Sequence, residues 1–155
     1  MHRFLWLIAP LALALDRGSK ALAQSRLQNA PPVEIWPGVF RFSYVENTGA
    51  AFGMLSGQQW LLLVITGAAL LGLLIWLILR GGRLPAWVRA ACWLMLGGAL
   101  GNFYDRLAQG AVIDFLQITL FEFPVFNVAD ICVCIAFALL ALWLLLGGKE
   151  VASDA

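Results

Sequence analysis

Charge is scarce in this chain. Of 155 residues only 12% are Asp, Glu, Lys or Arg, against roughly 25% in an ordinary soluble domain. Too few charged side chains are present to coat a water-facing surface, and a soluble enzyme is excluded on that ground. Histidine is nearly absent: the single one, His2, sits in the terminal tail, which excludes a Ser-His triad and a histidine-built metal site. The three cysteines, Cys92, Cys132 and Cys134, all lie inside apolar runs. They read as small buried hydrophobes rather than as disulfide partners or metal ligands. The net charge is only +1, and the ten Lys and Arg are spread from Arg3 to Lys149, so no basic patch is offered to nucleic acid. No metal, cofactor or nucleic-acid partner is expected.

What fills the chain instead is hydrophobic residues, 62% of the total, with 12% aromatic. Disorder is thereby excluded, and the class is a membrane protein of one integral domain covering residues 1–155. Residues 60–79 form a run of 20 without a charge, ending at Arg80, long enough to cross about 30 Å of hydrocarbon. Residues 128–147 form a second, interrupted only by Asp130. Residues 87–103 are shorter, with Arg89 and Asn102 placed to reach the two interfaces. Their Gly97, Gly98 and Gly101 give a GxxxG spacing that lets a neighbouring helix approach closely. The stretch 4–23 imitates a cleavable secretory signal, but Asp16, Arg17 and Lys20 stand between its apolar run and the Ala21-Leu22-Ala23 triplet, where such a signal is normally uncharged. It reads as a retained first span whose outer end carries an i,i+4 pair of Asp16 with Lys20.

Four spans put both termini on one side. The loop between the second and third carries Arg80, Arg83 and Arg89, and the tails add Arg3 and Lys149. The opposite loops, about 24–59 and 104–127, hold only Arg26, Arg41 and Arg106. The positive-inside rule places the termini in the cytoplasm. In the first outer loop, Val33-Glu34-Ile35-Trp36 and residues 39–45 predict a small strand pair or sheet on the membrane surface, broken by Asn47-Thr48-Gly49. Outside the C-terminal tail, which holds Glu150 and Asp154, every acid falls on the outer side: Asp16, Glu34, Glu46, Asp105, Asp114, Glu122 and Asp130. Ionisable groups at membrane depth are costly and mark functional sites, so the site is expected at the outer face.

Two of these acids stand among apolar neighbours, Asp114 in Val112-Ile113-Asp114-Phe115 and Asp130 after Phe126-Asn127-Val128-Ala129. Such surroundings push a carboxyl pKa upward and allow two groups to share one proton. A shared proton supplies an acid and a base together, which is what peptide hydrolysis without a nucleophilic side chain requires. Taken singly, Asp130 also fits a first-turn helix acid and Asp114 a solvated loop acid, and spacing alone does not bring them together. Asp105 fits a structural ion pair with the first span. Arg106 can aim its fork of donors at a substrate backbone or a lipid headgroup. Asn47, among small residues, can both donate to and accept from a peptide.

Asp16-Arg17-Gly18-Ser19-Lys20, Asn47-Thr48-Gly49-Ala50-Ala51-Phe52, Gly97-Gly98-Ala99-Leu100-Gly101-Asn102 with Asp105-Arg106, Val112-Ile113-Asp114-Phe115 and Phe123-Pro124-Val125-Phe126-Asn127-Val128-Ala129-Asp130 follow one another in order. Together they resemble the lipoprotein signal peptidase family, bacterial aspartic endopeptidases that remove signal peptides from prolipoproteins. The resemblance implies an all-α bundle of four transmembrane helices in the inner membrane, with a small periplasmic β-cradle. It implies a catalytic dyad at Asp114 and Asp130, substrate-binding positions at Asn47 and Arg106, and site-shaping positions at Asp16, Lys20, Asn102 and Asn127. The implied partners are signal peptides cut before a diacylglyceryl cysteine, membrane lipids, and peptide antibiotics of the globomycin kind. Two departures stand out: the stretch from Asp114 to Asp130 is short for the family, and Ile131-Cys132 replaces a serine common after the second aspartate. The first bears on how the site is covered, the second on hydrogen bonding around Asp130. Residues 117–122 are the expected gate by position. The competing class is a non-enzymatic membrane protein or small proton-coupled carrier, which calls for ionisable groups near mid-span; residues 60–79 have none.

Overall fold

In the computed structural model, which describes residues 4–50 and 54–147, three helices surround a central fourth, and the bundle carries a small sheet at one end. Helix α1 (Ile8–Leu27) follows a short 3-10 turn; its Pro10 lies in the first turn, where a missing N–H costs nothing. Helix α2 (Gln59–Arg80) buries only Leu62 and Leu77. Helix α3 (Ala86–Gln109) buries eight residues and packs against each of the other three. Helix α4 (Val128–Leu145) buries only Ala129 and Ala136. By length and hydropathy two helical segments are apolar enough to cross a membrane, Gln59–Arg83 and Val128–Leu145, at mean hydropathies of 2.7 and 2.6. Helices α1 and α3 carry the charges that lower theirs.

Close approach is built on glycine. A Cβ on Gly97 would lie 2.5 Å from the Ala9 carbonyl oxygen and 2.8 Å from the Ala12 Cβ, and one on Gly98 would lie 2.7 Å from the Ala129 carbonyl oxygen. A Cβ on Gly101 would overlap the Asp16 carboxylate. Gly97 and Gly101 therefore face α1, as the GxxxG spacing predicts, while Gly98 serves α4. At the other end of the bundle, Ala9, Leu77, Leu84, Val88, Cys92 and Leu96 form a buried cluster. Large apolar side chains cover the outside, among them Trp60, Ile78, Leu79 and Leu145, all more than 70% exposed. That is the inverse of a soluble surface.

The sheet has three strands, β1 (Val33–Trp36), β2 (Phe40–Asn47) and β3 (Val112–Ile118), antiparallel in that order. The first two are the predicted strand pair. The third was expected as part of an outer loop. Its residues satisfy their backbone groups against β2, with Val45 opposite Asp114 and Asn47 opposite Val112. Cross-strand partners and alternate residues share a face, so Asn47 and Asp114 emerge on the same side. An isolated bridge between Leu116 and Phe126 ties the far end of the segment back onto β3 and delivers the chain to the start of α4.

Several helix boundaries differ from those expected. The first helix runs from Ile8 to Leu27 rather than from 4 to 23, and the fourth ends at Leu145 rather than 147. The third continues six residues past 103 before Gly110, at φ 73°, ends it, because Asp105 and Arg106 are satisfied as helical residues by partners on other elements. Of the cysteines only Cys92 is buried; Cys132 is half-buried and Cys134 exposed, since α4 turns most of its surface outward. Arg3, Lys149, Glu150 and Asp154, and residues 51 and 52 of the second motif, lie outside the described residues.

Candidate active site

Helix α4 begins with a reciprocal cap. The Asn127 side-chain oxygen accepts from the Asp130 backbone N–H at 3.0 Å, and the Asp130 Oδ2 accepts from the Asn127 backbone N–H at 3.1 Å. The arrangement satisfies two donors of the first turn, so the bland reading of Asp130 as a first-turn acid is realised. Its other oxygen does more: Oδ1 accepts from the Asn102 amide on α3 at 2.7 Å.

Asp114 is no solvated loop acid. It lies on β3, only 3% exposed. Its Oδ2 accepts from the Asn47 amide at 3.0 Å and its Oδ1 from the Asn127 amide at 2.6 Å. Asn127 thus caps the helix bearing one aspartate and donates to the other. The same amide also donates to the Asn102 Oδ1 at 3.1 Å, so an Asn102–Asn127 pair links the two carboxylates. Burial pushes the Asp114 carboxyl up to about 6, against the amide of Asn47, and the neighbouring charge of Asp130 adds to the rise. A carboxyl whose pKa is raised beside a second carboxylate is the environment that separates an acid from a base.

Behind the amides stands a buried ion network. Lys20, with no exposed surface, donates to Asn102 Oδ1 at 2.8 Å and pairs with Asp16 at 2.8 Å and Asp105 at 2.7 Å. Asp105 is also paired with Arg17, whose guanidinium lies 4.5 Å from the centre of the Tyr104 ring. Two cations therefore face two anions, and burial of the set is offset within it. Asp16 reaches the first turn of α4, accepting from the Ala129 N–H at 2.9 Å. The network fixes α1, α3 and α4 at one depth. Because Lys20 and Asn127 both occupy the Asn102 oxygen, the amide nitrogen of Asn102 must point at Asp130.

Asn47, Asn102, Arg106, Asp114 and Asp130 line one cavity of about 340 Å³. Its remaining wall is apolar: Ala50, Val112, Phe123, Pro124, Val125, Phe126, Val133 and Cys134. Arg106 donates to the Gly49 carbonyl at 3.0 Å, and the Gly49 N–H donates to Asn47 Oδ1 at 2.9 Å, so the turn after β2 is braced from both ends. All eight residues singled out from the sequence meet in one connected region: five on the cavity, and Asp16, Lys20 and Asn127 behind it. The apolar wall was not anticipated. Cys134 stands one helical turn beyond Asp130, and that i,i+4 spacing is the signal by which it could have been found. Residues 117–122, expected as a gate, do not line this cavity; Gln117 is instead held in the sheet by Arg41 and Ser43. Among the described residues no group of three His, Cys, Asp or Glu is arranged to hold a metal ion.

The sequence model of signal peptidase (SPase) II matches residues 8–146. A protein of Symbiobacterium thermophilum called lipoprotein signal peptidase is 43% identical over 141 residues, covering 90% of this chain and 92% of that one. A protein of the same name from Brevibacillus brevis is 39% identical over 145 residues, covering 94% and 97%. Two bacterial membrane enzymes solved by the in meso method share the fold. One, at 2.3 Å resolution, gives a TM-score of 0.83 at 31% identity over 90% of this chain and 85% of the other. The second, at 1.9 Å, gives 0.82 at 28% identity over 100% and 99%. With the match running from the first helix to the end of the last, the chain belongs to the signal peptidase II family.

Proposed function

We propose that this protein is an aspartic endopeptidase of the bacterial inner membrane, removing the signal peptide of a prolipoprotein just before its diacylglyceryl cysteine. The observation that carries the reading is the pair of carboxylates, Asp114 and Asp130, on one wall of a largely apolar cavity and linked through two asparagine amides. Peptide hydrolysis there needs a water activated by one carboxylate and a carbonyl polarised by a protonated one. Asp114 is the proton holder, since burial raises its pKa to about 6. Asp130, in the first turn of α4, takes the proton from water. As the C–N bond breaks, that proton passes to the departing amine, and Asp114 recovers its own from the tetrahedral intermediate. Asn47 and Arg106 present donors beside the dyad, where they hold the substrate backbone. The apolar wall of Phe123, Val125, Phe126 and Val133 suits a greasy signal peptide. All four helices span the bilayer as one domain with both termini cytoplasmic, and the sheet lies on the periplasmic side.

Purified wild type, Asp114→Asn and Asp130→Asn are compared in detergent on a diacylglyceryl prolipoprotein. Each Asn variant is expected to lose about 10²–10⁴-fold in kcat, the range for removal of a general acid or base, while unfolding at a temperature near that of wild type. Near-normal cleavage by either folded variant removes the dyad. Solute accumulation in vesicles by a wild type that cleaves nothing establishes the carrier class instead.

A further inference from the structure

A second cavity, of about 430 Å³, lies between α1 and the sheet, lined by Ser19, Leu22, Ala23, Arg26, Leu27, Phe42 and Phe115. Its volume falls within the roughly 300–1,000 Å³ of small-molecule sites, and it shares no residue with the candidate active site. Phe115 follows Asp114 on β3 and so points to the opposite face of the strand, where it packs with Ala23 and Leu27. The cleft is therefore the back of the wall that carries Asp114.

From Ser19 to Arg26 it follows α1 over eight residues, a rise of about 10 Å, with apolar side chains along its length. The charge at its outer end is uncommitted. Arg17 pairs with Asp105, Arg41 with Glu34 and Gln117, and Arg106 with the Gly49 carbonyl. Among the described residues Arg26 is the outer-side cation without a carboxylate or backbone acceptor, and it is exposed in the last turn of α1. An apolar slot of that length, headed by a free guanidinium at the depth of the membrane interface, has the chemistry of a lipid with an anionic headgroup.

We infer that this cleft binds one anionic glycerophospholipid, its phosphate on Arg26 and an acyl chain lying between Leu22, Phe42 and Phe115. The inference rests on the membrane placement proposed above but not on the peptidase reading. Inside a bilayer the acyl chain gains little by exchanging lipid neighbours for protein ones, so selectivity comes from the headgroup. An additional attraction of the size found for one basic residue near an anionic surface gives a preference of about fivefold. A bound lipid fills the space behind β3.

The test is native mass spectrometry of the full chain in detergent, titrated with phosphatidylglycerol or phosphatidylcholine, with thermal unfolding measured in parallel. Wild type is expected to retain one phosphatidylglycerol about fivefold better than phosphatidylcholine and to unfold at a higher temperature with it. Arg26→Gln is expected to bind the two equally, and Leu22→Trp, which fills the slot from an exposed position, to retain neither; both keep their cleavage activity in lipid-free detergent. Equal retention of the two lipids by wild type overturns the inference, as does a preference that survives Arg26→Gln. So does displacement of phosphatidylglycerol by a diacylglyceryl peptide, because the cleft then belongs to the substrate's own lipid. None of these readouts depends on cleavage, so failure of the peptidase reading is seen separately, in the aspartate variants.

Discussion

Asn47 is the residue through which the titration of the proposed dyad can be tuned. Its amide donates to Asp114 at 3.0 Å and favours the ionised carboxylate, opposing the burial that raises the pKa to about 6. Catalysis by a pair sharing one proton falls on the alkaline side as that proton is lost, and on the acidic side as both groups become protonated. Taking away the Asn47 amide removes a stabiliser of the ionised form, so the pKa rises and the alkaline limb of kcat/KM moves to higher pH. A hydrogen bond to a charged group is strong enough to shift it by about one unit. Asn47→Ala is thus expected to lower the peak of the profile while displacing its alkaline limb upward. An alkaline limb that stays put, or moves down, removes Asn47 from control of the dyad. The apolar neighbours of Asp114 and Asp130 were visible in the sequence. Their linkage was not, because it runs through Asn102 and Asn127 on different elements, and no spacing along the chain encodes a contact across helices.

Helix α3 shows which parts of an element can be read from a sequence. The GxxxG spacing announced close packing, and Gly97 and Gly101 do meet α1. What spacing could not announce is that Gly101 lies against a carboxylate, so that the same absent side chain serves both helix packing and the ion network. Gly101→Ala forces the Asp16 carboxylate away from Lys20 and the Ala129 N–H. The expected loss is about 1–3 kcal/mol from overpacking, read as a lower unfolding temperature, with lower activity because Lys20 also orients Asn102. Gly18, on α1, is the internal control: a Cβ there meets nothing within 4 Å, so Gly18→Ala is expected to gain up to about 1 kcal/mol of helix stability. If the two substitutions shift the unfolding temperature equally, glycine acts through backbone entropy alone and the contact with Asp16 carries no weight. Strand β3 was missed for a related reason. Its residues alternate too little to signal a half-buried strand, since four successive ones, Val112 to Phe115, are all buried, and a short apolar run is ambiguous by periodicity.

Across the whole molecule, polarity is segregated by end. The carboxylates of Asp16, Asp105, Asp114 and Asp130 gather where the sheet joins the bundle, whereas Arg80, Arg83 and Arg89 lie around the turn between α2 and α3. In the proposed topology, basic loops are retained in the cytoplasm, and the sheet, the cavity and the exposed Trp36 of β1 lie on the periplasmic side. Both ends can be read out with single cysteines in a background where Cys92, Cys132 and Cys134 are replaced by alanine. Trp36 is two-thirds exposed, and Trp36→Cys is expected to react with a membrane-impermeant maleimide in intact spheroplasts. Arg83→Cys is expected to react only after the membrane is opened. The opposite pattern turns the molecule over and places the carboxylates in the cytoplasm, where no signal peptide emerging on the periplasmic side could reach them. Labelling of both sites from outside breaks the four-span arrangement itself, because positions 36 and 83 are separated by α2, which must cross the bilayer for the two to lie on different sides.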